Sequence, residues 1–108
     1  MIAWLWEASF TIANARKAAP KLDVAYVTGC LFRAAGVTAH ALHGHGRRWL
    51  VNEKGTIASA GLLPVAPSHF ADRVAQSFTG LSGTESSLVE TCELLQAVVD
   101  ETQAALAP

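Results

Sequence analysis

DVAYVTGCLFRAAGVTAHALHG, residues 23–44, decides the fold. Within it Val24, Val27, Leu31, Ala34, Thr38 and Leu42 recur at steps of three and four. Tyr26, Cys30, Val37 and Ala41 form a second apolar line beside the first. A helix that is apolar on most of its sides belongs in the middle of a bundle. Asp23 suits its N-cap, because a carboxylate accepts from the unpaired N–H groups of a first helical turn. The helix is expected to run to about His43. HGHGRR (43–48), with two glycines two apart, reads as the turn that ends it.

Working outward, residues 2–18 read as a first helix, with Ile2, Leu5, Trp6, Phe10 and Ala13 as its apolar stripe. Arg16 and Lys17 fall in its last turn, where cations suit the helix dipole, and Pro20 stops it. After the turn come the apolar run Trp49–Leu50–Val51 and then NEKG (52–55), which reads as a fixed loop or as a helix start capped by Asn52 with Glu53 in the first turn. TIASAGLL (56–63) reads as a short helix, and Pro64 and Pro67 bracket a loop. Ser68 is expected to cap a helix through Phe78, with Phe70, Val74 and Phe78 one turn apart, ended by Gly80 and Gly83. Thr84 opens a last helix, 85 to about 106, with Leu88, Cys92, Leu95, Val99 and Leu106 on its inner face. These patterns define an all-α, up-and-down helical bundle of four main helices and one short one, with residues 1–108 as one domain.

Composition narrows the function. The chain has 108 residues, 51% hydrophobic and 16% charged. The charged share of a soluble domain is usually about 25%, so apolar side chains should crowd this surface. That is the mark of a chain that rests against a second copy, another domain or a partner chain. A net charge of −1 argues against a general nucleic-acid-binding surface. Cys30 and Cys92 form no CxxC pair and are read as free thiols in a reducing, cytoplasmic setting. No basic residue precedes the apolar start and Glu7 interrupts it, so no signal peptide is expected, nor any membrane span.

The most informative feature is a polar stripe. On a helical wheel Gly29, Arg33, Gly36, His40 and His43 fall close to one line of an otherwise apolar helix. Glycines inside a helix cost about 1 kcal/mol each against alanine, so a neighbouring helix or a ligand should approach closely there. Arg33 with the two histidines could bind a phosphate or carboxylate. The plainer alternative pairs Arg33 with a helix carboxylate such as Glu90 and makes His40 a satisfied core residue. His40, His43 and His45 could be imagined as zinc ligands, but no acidic or thiol ligand is adjacent and no metal is expected. Cys30 in an apolar stripe reads as inert. Walker, GxGxxG and GxSxG motifs are all absent from the sequence.

The segment DVAYVTGCLFRAAGVTAHALHG followed by RRWLVNEKG (47–55) resembles the helical C-terminal region of bacterial nucleotidyltransferases of the kanamycin and lincosamide resistance type, over roughly residues 10–65. Members of that family carry an N-terminal α/β domain in which a Gly-Ser motif and an Asp-x-Asp pair hold magnesium and nucleotide. This chain has neither motif. The resemblance therefore implies a substrate-binding or dimerising module without catalysis of its own: a fragment, a split subunit or a remnant whose partner is a second copy or a nucleotidyltransferase catalytic domain. Magnesium and nucleotide would belong to that partner. Ligand contacts would come from Arg33, His40 and His43, with Glu53 and Lys54 at the mouth. Glu53 is also the candidate for the acidic base that the helical domain supplies in kanamycin-type members.

Two other readings stand beside this one. Arg33-AAGVTA-His40 is similar to the Arg-x4–6-His pattern of HEPN-type ribonucleases. In such a dimeric, metal-independent enzyme Arg33 would hold the scissile phosphate and His40 would act as general acid or base. The third reading is a helical interaction protein with no small ligand.

Overall fold

The chain reverses direction between its first two long helices by local means. In this computed structural model, which describes the backbone of residues 2–45 and 55–107 and the side chains of 5–44 and 55–107, α1 spans Ile2–Ala18 with Arg16 and Lys17 in its last turn. Pro20 sits in a 3-10 turn, Ala19–Lys21, that follows directly. Leu22 closes that turn in the left-handed region, φ 58°, with its N–H donating to the Ala19 carbonyl at 3.0 Å. Asp23 then caps α2 (Val24–His45), its Oδ1 accepting from the Tyr26 N–H at 3.2 Å. α3 (Thr56–Ala60) is a single short element, followed by α4 (Phe70–Thr79) and α5 (Glu85–Leu106). All described regular structure is helical, and the order of elements is that of an all-α bundle.

α2 lies at the centre, packed on α1, α3 and α5, and α4 packs on α5. Its line Val27, Leu31, Ala34, Thr38 and Leu42 is buried, with Val24 partly so, as its periodicity requires. On α5 the expected inner face, Leu88, Cys92, Leu95, Val99 and Leu106, is buried as well. Buried threonines return their hydroxyls to the backbone: Thr38 Oγ1 donates to Ala34 O at 2.8 Å and Thr102 Oγ1 to Val98 O at 2.9 Å. That keeps them in the core with no unpaired polar atom. The radius of gyration, 13.1 Å, is that of a compact chain of this length.

Four local expectations are corrected. α1 buries Leu5, Ala8, Ile12 and Ala15, and Ala19 of the turn after it, while Trp6 and Phe10 are 65% and 56% exposed and Ala13 is exposed. Both lines are apolar, and the line with two alanines lets α1 approach its neighbours more closely than a row of aromatic rings would. α2 does not stop at His43 but continues through Gly44 to His45. One glycine in a helix costs only about 1 kcal/mol, and His43 is anchored by a hydrogen bond to α3. α3 is entered through Gly55, at φ 77°, with no acidic residue in its first turn; Asn52 and Glu53 lie outside the described residues. α4 is entered through His69 in the left-handed region, φ 58°, without a side-chain cap from Ser68. The cap expected at Thr84 is present, its side chain accepting from the Ser87 N–H at 3.2 Å.

Candidate functional site

The polar stripe of α2 separates into an open part and a closed part. Arg33 and His40 are exposed and Gly36 is half-buried, all bordering one cleft. The cleft has a volume of about 330 Å³ and lies between α1, α2 and α3. Glu7 of α1 forms one edge, and Thr56 and Ile57 of α3 form the other. Phe32, Arg33, Gly36, Val37 and His40 supply the α2 side. Residues 32, 33, 36, 37 and 40 stand one turn apart on a helix, which is why five residues of α2 reach a single opening.

Arg33 pairs with Glu7 and not with Glu90. Its Nε donates to Glu7 Oε1 at 2.7 Å, and Nη2 donates to the same oxygen. The pair joins residues 26 positions apart across the α1–α2 hairpin at the rim of the cleft. A guanidinium committed to a carboxylate is a weaker anion receptor than a free one, since an incoming phosphate must displace Glu7. In exposed surroundings such a pair contributes little to stability, so displacement is not forbidden.

His43 belongs to the closed part. It is 3% exposed, and its Nε2 lies 2.9 Å from Ser59 Oγ of α3. Ser59 Oγ in turn donates to Thr56 O at 3.2 Å. With the serine proton directed there, His43 Nε2 is the donor of the shorter bond, and Nδ1 is left buried without a partner among the described residues. His43 thus holds α3 against α2 and does not border the cleft. Of the three α2 residues expected to contact a ligand, His43 is the one that stands away from this cleft. Glu53 and Lys54 lie outside the described residues, and so does the WLV run before them.

Of the two occupants expected at the stripe glycines, a helix or a ligand, no helix approaches among the described residues: a Cβ built on Gly29 or Gly36 meets nothing of them within 4 Å. Gly61 is the glycine that packing explains, because a Cβ there would stand 3.1 Å from the Ala71 Cβ of α4. Nothing in the structure explains Gly29, which faces solvent. Gly36 opens onto the cleft.

Glu7 is the site residue that sequence reasoning missed. The sequence showed it only as a charge interrupting an apolar run, and its pairing with Arg33 depends on how two helices are set against each other. Among the described residues no group of three or more His, Cys, Asp or Glu side chains is placed to hold a metal ion. Among them, too, no helix is long and apolar enough to cross a membrane. Comparison with known proteins adds nothing to the geometry: no family model matches the chain, and no curated protein or solved structure matches it.

Proposed function

We propose that the chain is the helical module of a nucleotidyltransferase-type system, binding a small ligand in the α1–α2–α3 cleft and docking on a catalytic domain, without catalysis of its own. The observation that carries this reading is the cleft itself, where Glu7, Arg33 and His40 rim a floor formed by Val37, Ile57 and the bare backbone of Gly36. A few polar groups converging on an apolar hollow are the usual build of a small-molecule site. The likeness of residues 23–44 and RRWLVNEKG to the helical region of kanamycin- and lincosamide-type enzymes supplies the class of system. Trp6 and Phe10, exposed side by side with ring centroids 5.9 Å apart, supply a surface fitted to docking or dimerisation. The setting is cytoplasmic and reducing, and magnesium and nucleotide sit with the partner.

Titration calorimetry of the chain against a nucleotidyltransferase catalytic domain that carries the Gly-Ser and Asp-x-Asp motifs tests the docking. A complex of micromolar affinity or better is expected, with nucleotidyl transfer seen only when the catalytic domain is present. Absence of any complex would remove the docking half of the reading.

The ribonuclease reading keeps one specific support, because Arg33 and His40 border the same cleft two helical turns apart. It also meets one obstacle, since Glu7 holds two of the guanidinium N–H groups that a phosphate would need. RNA cleavage in the presence of chelator, lost in a folded His40→Ala variant, would decide for it.

A further inference from the structure

Gly36 sits in the interior of the 22-residue α2, where alanine would stabilise the helix. Among the described residues no packing neighbour forbids a side chain there, since a Cβ would meet none of them within 4 Å. Gly36 nevertheless lines the cleft, with Phe32 one turn before it and His40 one turn after. The α2 wall therefore runs ring, bare backbone, ring over roughly 12 Å of helix. Val37 and Ile57 add apolar surface next to the bare backbone.

The polar rim has a definite pattern. Arg33 Nε and Nη2 both address Glu7 Oε1, so Arg33 Nη1 and Glu7 Oε2 remain without protein partners among the described residues. A donor and an acceptor stand together, and their charges offset. An anion would be repelled by Glu7 and a cation by Arg33. An uncharged molecule with a donor and an acceptor on one edge meets neither penalty.

We propose that Gly36 is the specificity-determining position of the cleft: its bare backbone is the platform for a flat, uncharged heterocycle whose hydrogen-bonding edge meets Arg33 and Glu7. The proposal rests on the reading of the cleft as a ligand site and names its ligand class. A cleft of about 330 Å³ lies at the small end of ligand pockets, which suits a mono- or bicyclic ring.

The test uses adenine as the heterocycle, methyl glucoside as a neutral ring that is not flat, and inorganic phosphate as an anion. Each is titrated into the isotope-labelled chain while backbone amide resonances are followed. Adenine is expected to shift Gly36, Val37 and Thr56, and the other two are not. Gly36→Ala is expected to raise Tm by about 4 °C and weaken adenine binding at least about threefold. Gly36→Leu, still folded, should abolish the shifts. Gly29→Ala should raise Tm similarly and leave binding unchanged. Adenine binding retained in Gly36→Leu, or a lowered Tm in Gly36→Ala, would overturn the role of Gly36 while leaving the cleft as a site. Shifts from glucoside or phosphate but not adenine would overturn the ligand class alone. If no probe moves a cleft amide of the unaltered chain, the cleft reading fails and this proposal fails with it, whatever the calorimetry shows of docking.

Discussion

Among the described residues, buried His43 has a single hydrogen-bonded nitrogen, and that bond ties its imidazole to α3. Removing the Ser59 hydroxyl would strand Nε2–H beside an already unpartnered Nδ1. Ser59→Ala is therefore expected to cost about 1–3 kcal/mol, read as a lower urea midpoint. An unchanged midpoint would show that the bond carries no net stability. The two cysteines differ in a way that their sequence positions do not show. Cys92 is fully buried, and burial pushes its thiol above the ordinary range, while Cys30 is only partly covered. The thiolate is the reactive form, so a maleimide at neutral pH should label Cys30 and spare Cys92 until the chain unfolds. Equal labelling of both in the native protein would contradict the buried placement. At this scale the sequence located Arg33 and His40 but not their surroundings. A helical wheel gives direction around one axis and is silent on which neighbour stands there, so His43 and His40 looked alike although one is buried and the other open.

Helix ends and helix contacts decide how the elements are joined. Thr91 Oγ1 has two acceptors for its one proton, Ser77 O of α4 at 3.0 Å and Ser87 O of its own helix at 3.2 Å; given to the nearer, it fills a carbonyl in the last turn of α4 that the helix itself cannot pair. Thr38 Oγ1 bonds only within its own helix, to Ala34 O. Valine replaces threonine in nearly the same volume, so the two sites should respond differently. Thr91→Val is expected to cost about 1–2 kcal/mol, and Thr38→Val to change stability by less than about 0.5 kcal/mol. Comparable losses in chemical denaturation would show that the inter-helix bond has no special weight. A second clasp joins the same helices: Arg73 donates to both carboxylate oxygens of Glu101, at 2.7 and 2.5 Å. The hydrogen bonds from Arg73 hold the Glu101 carboxyl below its ordinary value of 4.5. A carboxyl whose folded value is depressed stabilises the fold above its unfolded value and loses that contribution as pH falls through the folded one. The pair is exposed, so its worth is only about 0.5 kcal/mol. Glu101→Gln should lower Tm slightly at pH 7, and the gap from the unaltered chain should close as the pH is taken well below 4.5; a gap independent of pH would exclude the ion pair as its cause. Element type was readable throughout, because long apolar periodicity and the Thr84 cap are local signals. The entries to α3 and α4 were not, since Gly55 and His69 adopt left-handed conformations without a side-chain cap.

At the scale of the whole molecule, the excess of apolar residues has been distributed between a core and a surface. Aliphatic side chains and alanines of α1 and α2 are buried, and the large rings of Trp6, Phe10, Tyr26 and Phe32 stand outside. Composition announced the surplus, but the sequence placed Trp6 and Phe10 in the core, because hydrophobicity alone cannot choose between two apolar faces of one helix. Their exposure separates stability from association. Exposed positions away from structural contacts usually change stability by less than about 0.5 kcal/mol, whereas buried aromatic anchors dominate interfaces. Under the docking proposed above, the double variant Trp6→Ser/Phe10→Ser is therefore expected to unfold within about 3 °C of the unaltered chain and to show less self-association than it in sedimentation velocity. In calorimetry against the proposed catalytic partner it should lose at least about tenfold in affinity. A Tm fall of 10 °C or so would return these rings to the core, against their observed exposure. Unchanged assembly together with unchanged stability would move the docking surface away from α1, toward the exposed Tyr26 and Phe32 of α2.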